Sequence, residues 1–455
     1  MNPERLIYTF VSTASDIDAS WGKGVPAEGV DRLARLAHRH GIPVTWIVNR
    51  GSVAVLADRI NEWHERFGDN VMVRCPPRPG IPDKKAAALR WKEAFGQEWA
   101  AVAEAFPWAT AKIAATGYIS SELIELLEDI GFDGIWGYCW EQTWWDNIAH
   151  KGVPWGFWYV DRKRYKAPHP TGGRIVGCEW TARDLRHAYH TASPVVYSSD
   201  PDDVRRAGLC SATDITYWKA MFQDYLANTA CNDQVYFLQH QEAHEMEHSD
   251  GFKVASPDEI AASSAMLDRF FGHVRACGAT CSSLPEAIAR YKRANAHTAP
   301  VYMLTERGEA RPAMNGYTLA LGGVAAADWP RTFFYYDKHC QLVFREGDSR
   351  PARLTNYVGK QDMNGDFTED APPVFVRHYE KTEARISLEF HIGLWPPVPF
   401  GLAYWDSLEG FAATGHEGVE SAVIVQNKLV FLRLDLTGEE KTVRLTLERS
   451  VGSRT

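Results

Sequence analysis

The densest concentration of groups that could do chemistry lies in FLQHQEAHEMEHSDG, residues 237–251. Nine consecutive positions there carry three histidines and three glutamates: His240, Glu242, His244, Glu245, Glu247 and His248. The apolar run QVYFL before them predicts a buried strand. If that strand continues, His240, Glu242 and His244 lie on one face. If a helix begins instead, His240, His244 and Glu247 share a face, one turn apart.

In both arrangements His240 and His244 point the same way. Two neighbouring imidazoles repel each other when both are charged, so they favour neutrality or a cation between them. Neutral imidazole with a carboxylate is a suitable ligand set for a transition metal. The spacing is HxExH rather than the HExxH of zinc proteases. The pattern therefore favours a metal or acid–base site, and the alternative is a solvated helix start of mixed charge; Glu245, Glu247 and His248 take supporting or surface positions.

A second candidate site is the acidic pair Asp16 and Asp18, which follows the apolar run LIYTFVS. Two such aspartates can share a divalent ion, or one can orient the other as a base. The alternative is an Asx-turn that only shapes the loop. Further candidates for substrate contact follow later strands, in a region where six tryptophans between 136 and 158 indicate either core or an aromatic-walled cleft: Trp140, Glu141, Trp144, Asp146 and Glu179.

The elements that must position these residues alternate between strands and helices up to residue 295. Such alternation predicts parallel strands with helices outside, here a (β/α) barrel of seven or eight strands, complete or distorted. In these folds the catalytic groups lie at the carboxyl ends of the strands. Because the candidates follow predicted strands, we expect them to meet on one rim.

The hydrophobic pattern of the sequence changes after Asn295, where the helical periodicity ends. Short strand-like runs separated by turn residues predict an antiparallel β-sandwich. We therefore predict two domains, a catalytic barrel over 1–295 and an all-β accessory domain over 300–455. The accessory domain is also a candidate interface for a homo-oligomer.

The composition excludes several classes of partner. The chain of 455 residues has a formal net charge of −9, which gives no general attraction to nucleic acid or to an anionic membrane. No apolar run approaches the ~20 residues that span a bilayer, and the start lacks the pattern of a signal peptide. We expect a cytoplasmic protein that takes a small-molecule or oligosaccharide substrate and needs no nucleotide cofactor.

Three stretches together resemble the polysaccharide-deacetylase fold: TFVSTASDID at the first strand, HGIPVTWIV at the second, and the late SLPEAIARYK. The segment from GYCWEQTWW to RYKAP, with CEWTARDL after it, is similar to bacterial proteins that join such a barrel to a C-terminal β-domain. The resemblance covers most of 1–295 and, more loosely, the β-module. It implies a β/α barrel and a hydrolytic, metal-dependent reaction.

The departures from that family are specific. Its members bind a metal through the second aspartate of strand one, for which Asp18 can stand, and through an HxxxH pair after strand three. Here strand three is followed by RCPPRPG, which has no histidine, and the family's arginine motif is replaced by TGYISS with Tyr118. His240 and His244 lie at a late strand, where the family carries a single catalytic histidine. The chain is therefore not a standard deacetylase.

The first hypothesis is a carbohydrate-active hydrolase that cleaves an amide or ester on a sugar or sugar-like compound. A divalent transition metal, zinc first among the candidates, would be bound by Asp18, His240 and His244 and would polarise the carbonyl. Glu242 or Asp16 would act as general base, with His244 as a further catalytic group.

Two other hypotheses stay open. The first of these is a metal-independent glycosidase or lyase, in which two carboxylates flank the bond that breaks; the candidates are Glu242 with Asp18, Glu141 or Glu179. The second is a non-catalytic carbohydrate-binding or assembly protein.

Overall fold

The structure is a computed structural model. It describes residues 1–15, 27–116, 119–138, 156–162, 165, 169, 172–182, 200–206, 208–230, 232–248 and 255–298 of the first part of the chain. Of the second part it describes residues 303–306, 333–336, 340–345, 352–353, 360–361, 367–368, 374–394, 397–405, 408–425, 427 and 429–450.

The first part is built on one curled sheet of nine strands. They are β1 Leu6–Thr13, β2 Val44–Val48, β3 Asn70–Arg74, β4 Ile113–Ala115, β5 Gly134–Tyr138, β6 Phe157–Tyr159, β7 Val176–Glu179, β8 Val235–Gln241 and β9 Thr280–Cys281. The order is β6-β7-β5-β4-β3-β2-β1-β8, and β9 pairs with β1. Every neighbouring pair is parallel except β6 with β7.

Eight helices of the described residues connect or flank these strands. They are α1 Ala27–Arg39, α2 Arg50–Phe67, α3 Lys84–Ala105, α4 Ser121–Asp129, α5 Pro201–Arg206, α6 Thr216–Ala227, α7 Pro257–Ala276 and α8 Leu284–Ala294. Local capping explains several of the ends: Asn49 and Ser52 form a capping box at the start of α2, and Gly68, with φ of 80°, ends it. Among the described residues, no helix combines the length and the apolar content that crossing a membrane requires.

The two faces of the sheet bury separate apolar clusters. Alternate residues of the strands, such as Ile7, Met72 and Leu238, form the concave cluster, which α8 covers with Leu284 and Ile288. The intervening residues, such as Phe10 and Trp46, pack on the convex face beneath the other helices. A sheet that is buried on both faces explains why its strands read as almost uninterrupted apolar runs.

The curl of the sheet brings its two ends together. The ring of Phe157 on β6 stacks on Tyr236 of β8 with centroids 4.0 Å apart. Ala182, just after β7, donates its backbone N–H to the carbonyl oxygen of Leu238 at 2.6 Å. The predicted (β/α) barrel is confirmed in this distorted form, although antiparallel β6 and helices α5 and α6 were not predicted. Because of the curl, the carboxyl ends of β7 and β8 are neighbours.

The second part of the chain contains antiparallel sheets, as predicted. The strands before residue 370 are β10 Met303–Glu306, β11 Phe333–Tyr336, β12 Cys340–Arg345, β13 Ala352–Arg353, β14 Lys360–Gln361 and β15 Phe367–Thr368. Those after residue 370 are β16 Val374–Lys381, β17 Arg385–Ile392, β18 Val398–Trp405, β19 Phe411–Glu417, β20 Ser421–Val425, β21 Leu429–Leu436 and β22 Lys441–Arg449.

Two of these sheets enclose a common core. One has the order β16-β17-β22-β19 and the other β13-β12-β18-β21-β20. Leu388 and Leu445 of the first sheet share an apolar cluster with Leu402 and Leu432 of the second, which is the arrangement of a sandwich. The pairing of β12 with β18 is parallel, an exception to the antiparallel pattern.

Candidate functional site

Strand β8 carries its chemistry at its carboxyl end. His240 lies opposite Val11 in the parallel pairing of β8 with β1 and is completely buried. The strand ends at Gln241, Glu242 remains extended with φ of −70° and ψ of 133°, and a 3-10 turn follows over Ala243–Met246. His240 and Glu242 therefore keep the strand alternation, whereas His244 lies within the turn and leaves it.

A third buried side chain joins His240 and Glu242. Asp200 directly precedes α5, and one ligand atom each of Asp200, His240 and Glu242 lies within 4.8 Å of the others. The Nδ1 atom of His240 is 3.4 Å from Oδ2 of Asp200. All three side chains are buried, with exposures of 2%, 0% and 3%. We call this set the Asp200–His240–Glu242 group.

Two tryptophans hold the imidazole of this group. The indole Nε1–H of Trp180 donates to Nδ1 of His240 at 2.8 Å, and the indole of Trp136 donates to the carbonyl oxygen of Trp180 at 3.0 Å. Their rings lie 5.5 and 5.0 Å from the imidazole, centroid to centroid. Because an indole nitrogen can only donate, Nδ1 of His240 must be the acceptor. In this arrangement the lone pair of Nδ1 is engaged by the indole N–H of Trp180.

The composition of the group limits its chemistry to a few options. Two carboxylates at this separation in a buried site favour either a shared proton or a cation between them. One imidazole nitrogen and two carboxylate oxygens form a donor set that suits zinc and other divalent transition metals. The same groups without a metal can accept and donate protons. The residues thus fit a metal, and they also fit acid–base catalysis.

The segment after β8 is anchored to the first strand and the first helix. The N–H of Ala243 donates to Oγ1 of Thr13, at the end of β1, at 2.9 Å. The carboxylate of Glu247 accepts the N–H groups of Glu28 and Gly29, both at 3.1 Å, and so caps the start of α1. Gly29 lies so close that a Cβ there would be 1.7 Å from the carbonyl oxygen of Ala243.

Glu245 and His248, two further charged or titratable residues of the segment 237–251, have local partners. The side chain of Gln241 donates to the buried carboxylate of Glu245 at 2.5 Å. Nδ1 of the exposed His248 lies 3.2 Å from the carbonyl oxygen of Ala255. Together with the contacts of Glu247, these bonds shape the turn around the Asp200–His240–Glu242 group.

The other residues predicted as ligands, catalytic groups or substrate contacts have different placements. His244 is buried in the 3-10 turn but does not belong to the group of possible ligands found among the described residues. Glu179 is buried on β7, between concave-facing Cys178 and Trp180, so alternation places it on the other face of the sheet. Six predicted residues lie outside the described part of the chain: Asp16, Asp18, Trp140, Glu141, Trp144 and Asp146.

Two residues of the site were missed from the sequence. Asp200, in SSDPDD, has the pattern of a helix cap before a proline, and the described chain places no strand directly before it. Trp180 ends the run GGRIVGCEW, and its position at a strand end was the available signal. Of the six tryptophans between 136 and 158, the described Trp136 and Trp158 are buried, which favours core for these two.

No family model matches the sequence, and no curated protein matches it. Among solved structures, Puue allantoinase is similar with a TM-score of 0.42 and 12% identity, covering 65% of this chain and 92% of its own. A candidate polysaccharide deacetylase from Mycobacterium smegmatis has a TM-score of 0.39 and 12% identity, covering 66% and 94%. The 4-alpha-glucanotransferase from Thermococcus litoralis has a TM-score of 0.36 and 8% identity, covering 98% and 100%.

Proposed function

We propose that this chain is a carbohydrate-active hydrolase that cleaves an amide or ester on a sugar or sugar-like compound at the Asp200–His240–Glu242 group. The single observation that carries the proposal is the convergence of these three buried side chains within 4.8 Å at the rim of the barrel, beside the carboxyl end of β8. In β/α folds this rim is where catalytic groups lie. The sugar character of the substrate rests on the sequence alone, through the tryptophans after β5.

The three residues share one task in this reaction, and Glu242 has a second, for which its other carboxylate oxygen serves. Asp200, His240 and Glu242 would hold a divalent transition metal, with zinc the first candidate. When bound, the metal supplies Lewis-acid polarisation of the acyl carbonyl. Glu242 lies where β8 opens into its turn, and we assign to it the acceptance of the proton of the attacking water. Burial of the group keeps bulk water away, which strengthens each of these electrostatic interactions.

A second candidate function is a metal-independent acid–base hydrolase. The hydrogen bond from Trp180 to Nδ1 of His240 favours it, because that bond occupies the only lone pair of the neutral ring. The Nε2–H of His240 would then donate to the developing negative charge, and Asp200 and Glu242 would form the carboxylate pair. Such a carboxylate pair can also catalyse hydrolysis of a glycosidic bond.

Metal content separates the two candidates. The full-length protein is purified without added metal, and its bound metal is measured by mass spectrometry in wild type and in Asp200→Asn, His240→Ala and Glu242→Gln. The first candidate predicts a stoichiometric divalent metal that each of the three changes removes. His248→Ala, an exposed histidine in the same segment, is the matched control and should retain it.

His244→Ala distinguishes the geometry from the sequence prediction. If this variant retains the metal, the result supports the Asp200–His240–Glu242 group. If it loses the metal, His244 is a ligand, as the sequence predicted together with His240. Hydrolysis of chromogenic esters, N-acetylated sugar oligomers and glycosides is measured in parallel. Under both candidates Glu242→Gln should lower the rate by roughly 10²–10⁴-fold. If the rate is unchanged in Glu242→Gln and in His240→Ala, the proposed site is wrong.

A further inference from the structure

We propose, resting on the metal-assisted function above, that Trp180 controls metal binding: its indole N–H must leave His240 before the Asp200–His240–Glu242 group can bind a metal ion. The relevant contact is the 2.8 Å hydrogen bond from Nε1 of Trp180 to Nδ1 of His240. Both side chains are buried, with 3% and 0% exposure, so the bond is not exchanged for one with bulk water.

Binding through Nδ1 competes directly with the indole. A neutral imidazole has a single lone pair, and a metal ligand needs that pair free. The Nδ1 atom of His240 is the nitrogen that lies 3.4 Å from Oδ2 of Asp200, so it faces the neighbouring ligand. In the structure its lone pair accepts the indole hydrogen instead. A metal shared by Nδ1 and Asp200 therefore requires Trp180 to move away.

Binding through Nε2 of His240 leads to the same requirement. A neutral ring that binds a metal through Nε2 carries its proton on Nδ1. That proton would point at the N–H of Trp180, and two donors cannot share a hydrogen bond. Whichever nitrogen binds the metal, the hydrogen bond from Trp180 must break.

The backbone around Trp180 keeps the indole in place when no metal is bound. Its N–H donates to the carbonyl oxygen of Tyr138 at 2.5 Å, and its carbonyl oxygen accepts the indole of Trp136 at 3.0 Å. Movement of Trp180 is thus confined to its side chain. Trp180 therefore orients His240 for acid–base catalysis and opposes metal binding. Its own side chain neither transfers a proton nor binds the metal.

Trp180→Phe tests this role because it keeps an aromatic ring and removes only the donor. Zinc alone is titrated against a chromogenic chelator with wild type, Trp180→Phe and Trp180→Phe/His240→Ala. We expect zinc to bind Trp180→Phe roughly fivefold to tenfold more tightly than wild type, the effect of one buried hydrogen bond. The gain should vanish in the double variant. Trp218→Phe is the matched control: Trp218 is completely buried, its nitrogen has no partner among the described residues, and zinc affinity should stay unchanged.

The outcomes separate this role from the metal site itself. Equal zinc affinity of wild type and Trp180→Phe, with binding lost in His240→Ala, would overturn the control by Trp180 and leave the metal-assisted function standing. No zinc binding by either protein would overturn both and favour the metal-independent candidate.

Thermal unfolding of each variant establishes that it is folded. If Trp180→Phe is not, a crystal structure of zinc-loaded wild type decides: we expect the distance between Nε1 of Trp180 and Nδ1 of His240 to exceed hydrogen-bonding range. Zinc bound to His240 with the 2.8 Å contact retained would refute the proposal.

Discussion

Thr13→Val tests how the turn beyond β8 is held, by replacing a hydroxyl with a methyl group of similar size. In the structure the buried hydroxyl of Thr13 accepts the N–H of Ala243, which is also buried, at 2.9 Å. Valine leaves that N–H facing a methyl group, and a buried donor without a partner costs about 1–3 kcal/mol. The added methyl group returns ~0.8 kcal/mol of apolar burial. We therefore expect the free energy of unfolding to fall by roughly 1–2 kcal/mol.

Thr13→Val should also weaken metal binding at the proposed site, because Ala243 directly follows Glu242 along the chain. Loss of a supporting hydrogen bond around a metal ligand typically lowers metal affinity by ~10–100-fold, and we expect zinc affinity to fall within that range. Unfolding in urea is followed by tryptophan fluorescence, since most tryptophans lie in residues 1–295. Zinc affinity is measured by competition with a chelator.

Thr13→Ser is the matched control because it keeps the hydroxyl. Its expected loss is ~0.8 kcal/mol, that of one buried methyl group, with zinc affinity close to wild type. The reasoning is refuted if Thr13→Val unfolds within ~0.5 kcal/mol of wild type, the range of ordinary surface changes. A larger effect of serine than of valine on zinc affinity would equally contradict it.

Two further predictions concern the framework of the barrel. In Asp69→Asn the new amide nitrogen is a donor where a completely buried carboxylate accepts three hydrogen bonds. The free energy of unfolding, measured in urea, should therefore fall by about 2–4 kcal/mol. The exposed control Asp58→Asn should leave that free energy almost unchanged. Those three donors are the N–H of Val44, Nε2 of His38 and Nε1 of Trp46. Bonds from the backbone N–H and hydroxyl of Ser256 lower the pKa of Glu259 below its ordinary 4.5. Its contribution to stability is therefore complete above pH 4.5 and lost as the pH falls through the lower folded pKa, so the melting temperature of Glu259→Gln should depend less on pH there than that of wild type; identical pH profiles would contradict this.

Much of the fold was predictable because the signals are local. Apolar runs such as LIYTFVS and IPVTWIV became strands β1 and β2, and helix α7 starts at a capping box formed by Ser256 and Glu259, three residues apart. Strand β6 was missed because its three residues lie within the tryptophan-rich segment, where no clean period of two can be read. Helix α6 packs through a broad set of aromatic residues rather than a narrow stripe, which weakens its periodic signal.

The candidate site was predictable only in part. The position of His240 and Glu242 at the end of a buried strand follows from sequence pattern, because alternation along a strand is a local property. The turn at Ala243 was not predicted, and it separates His244 from the other two. Asp18 and His244 as metal ligands stay a prediction, with Asp18 outside the described residues.

The amino-acid order alone determined the two-part architecture, the strand that carries HxExH and the residue types from which a site could be built. These features depend on side-chain period and chemistry over a few neighbouring residues. Which of those residues meet was decided by the tertiary structure. Asp200 and Trp180 lie 40 and 60 positions from His240, and only the curl of the sheet, which sets the end of β7 beside β8, brings them to the same imidazole. The hydrogen bond at Nδ1 of that ring is likewise a tertiary property, because its donor, Trp180, follows another strand, β7.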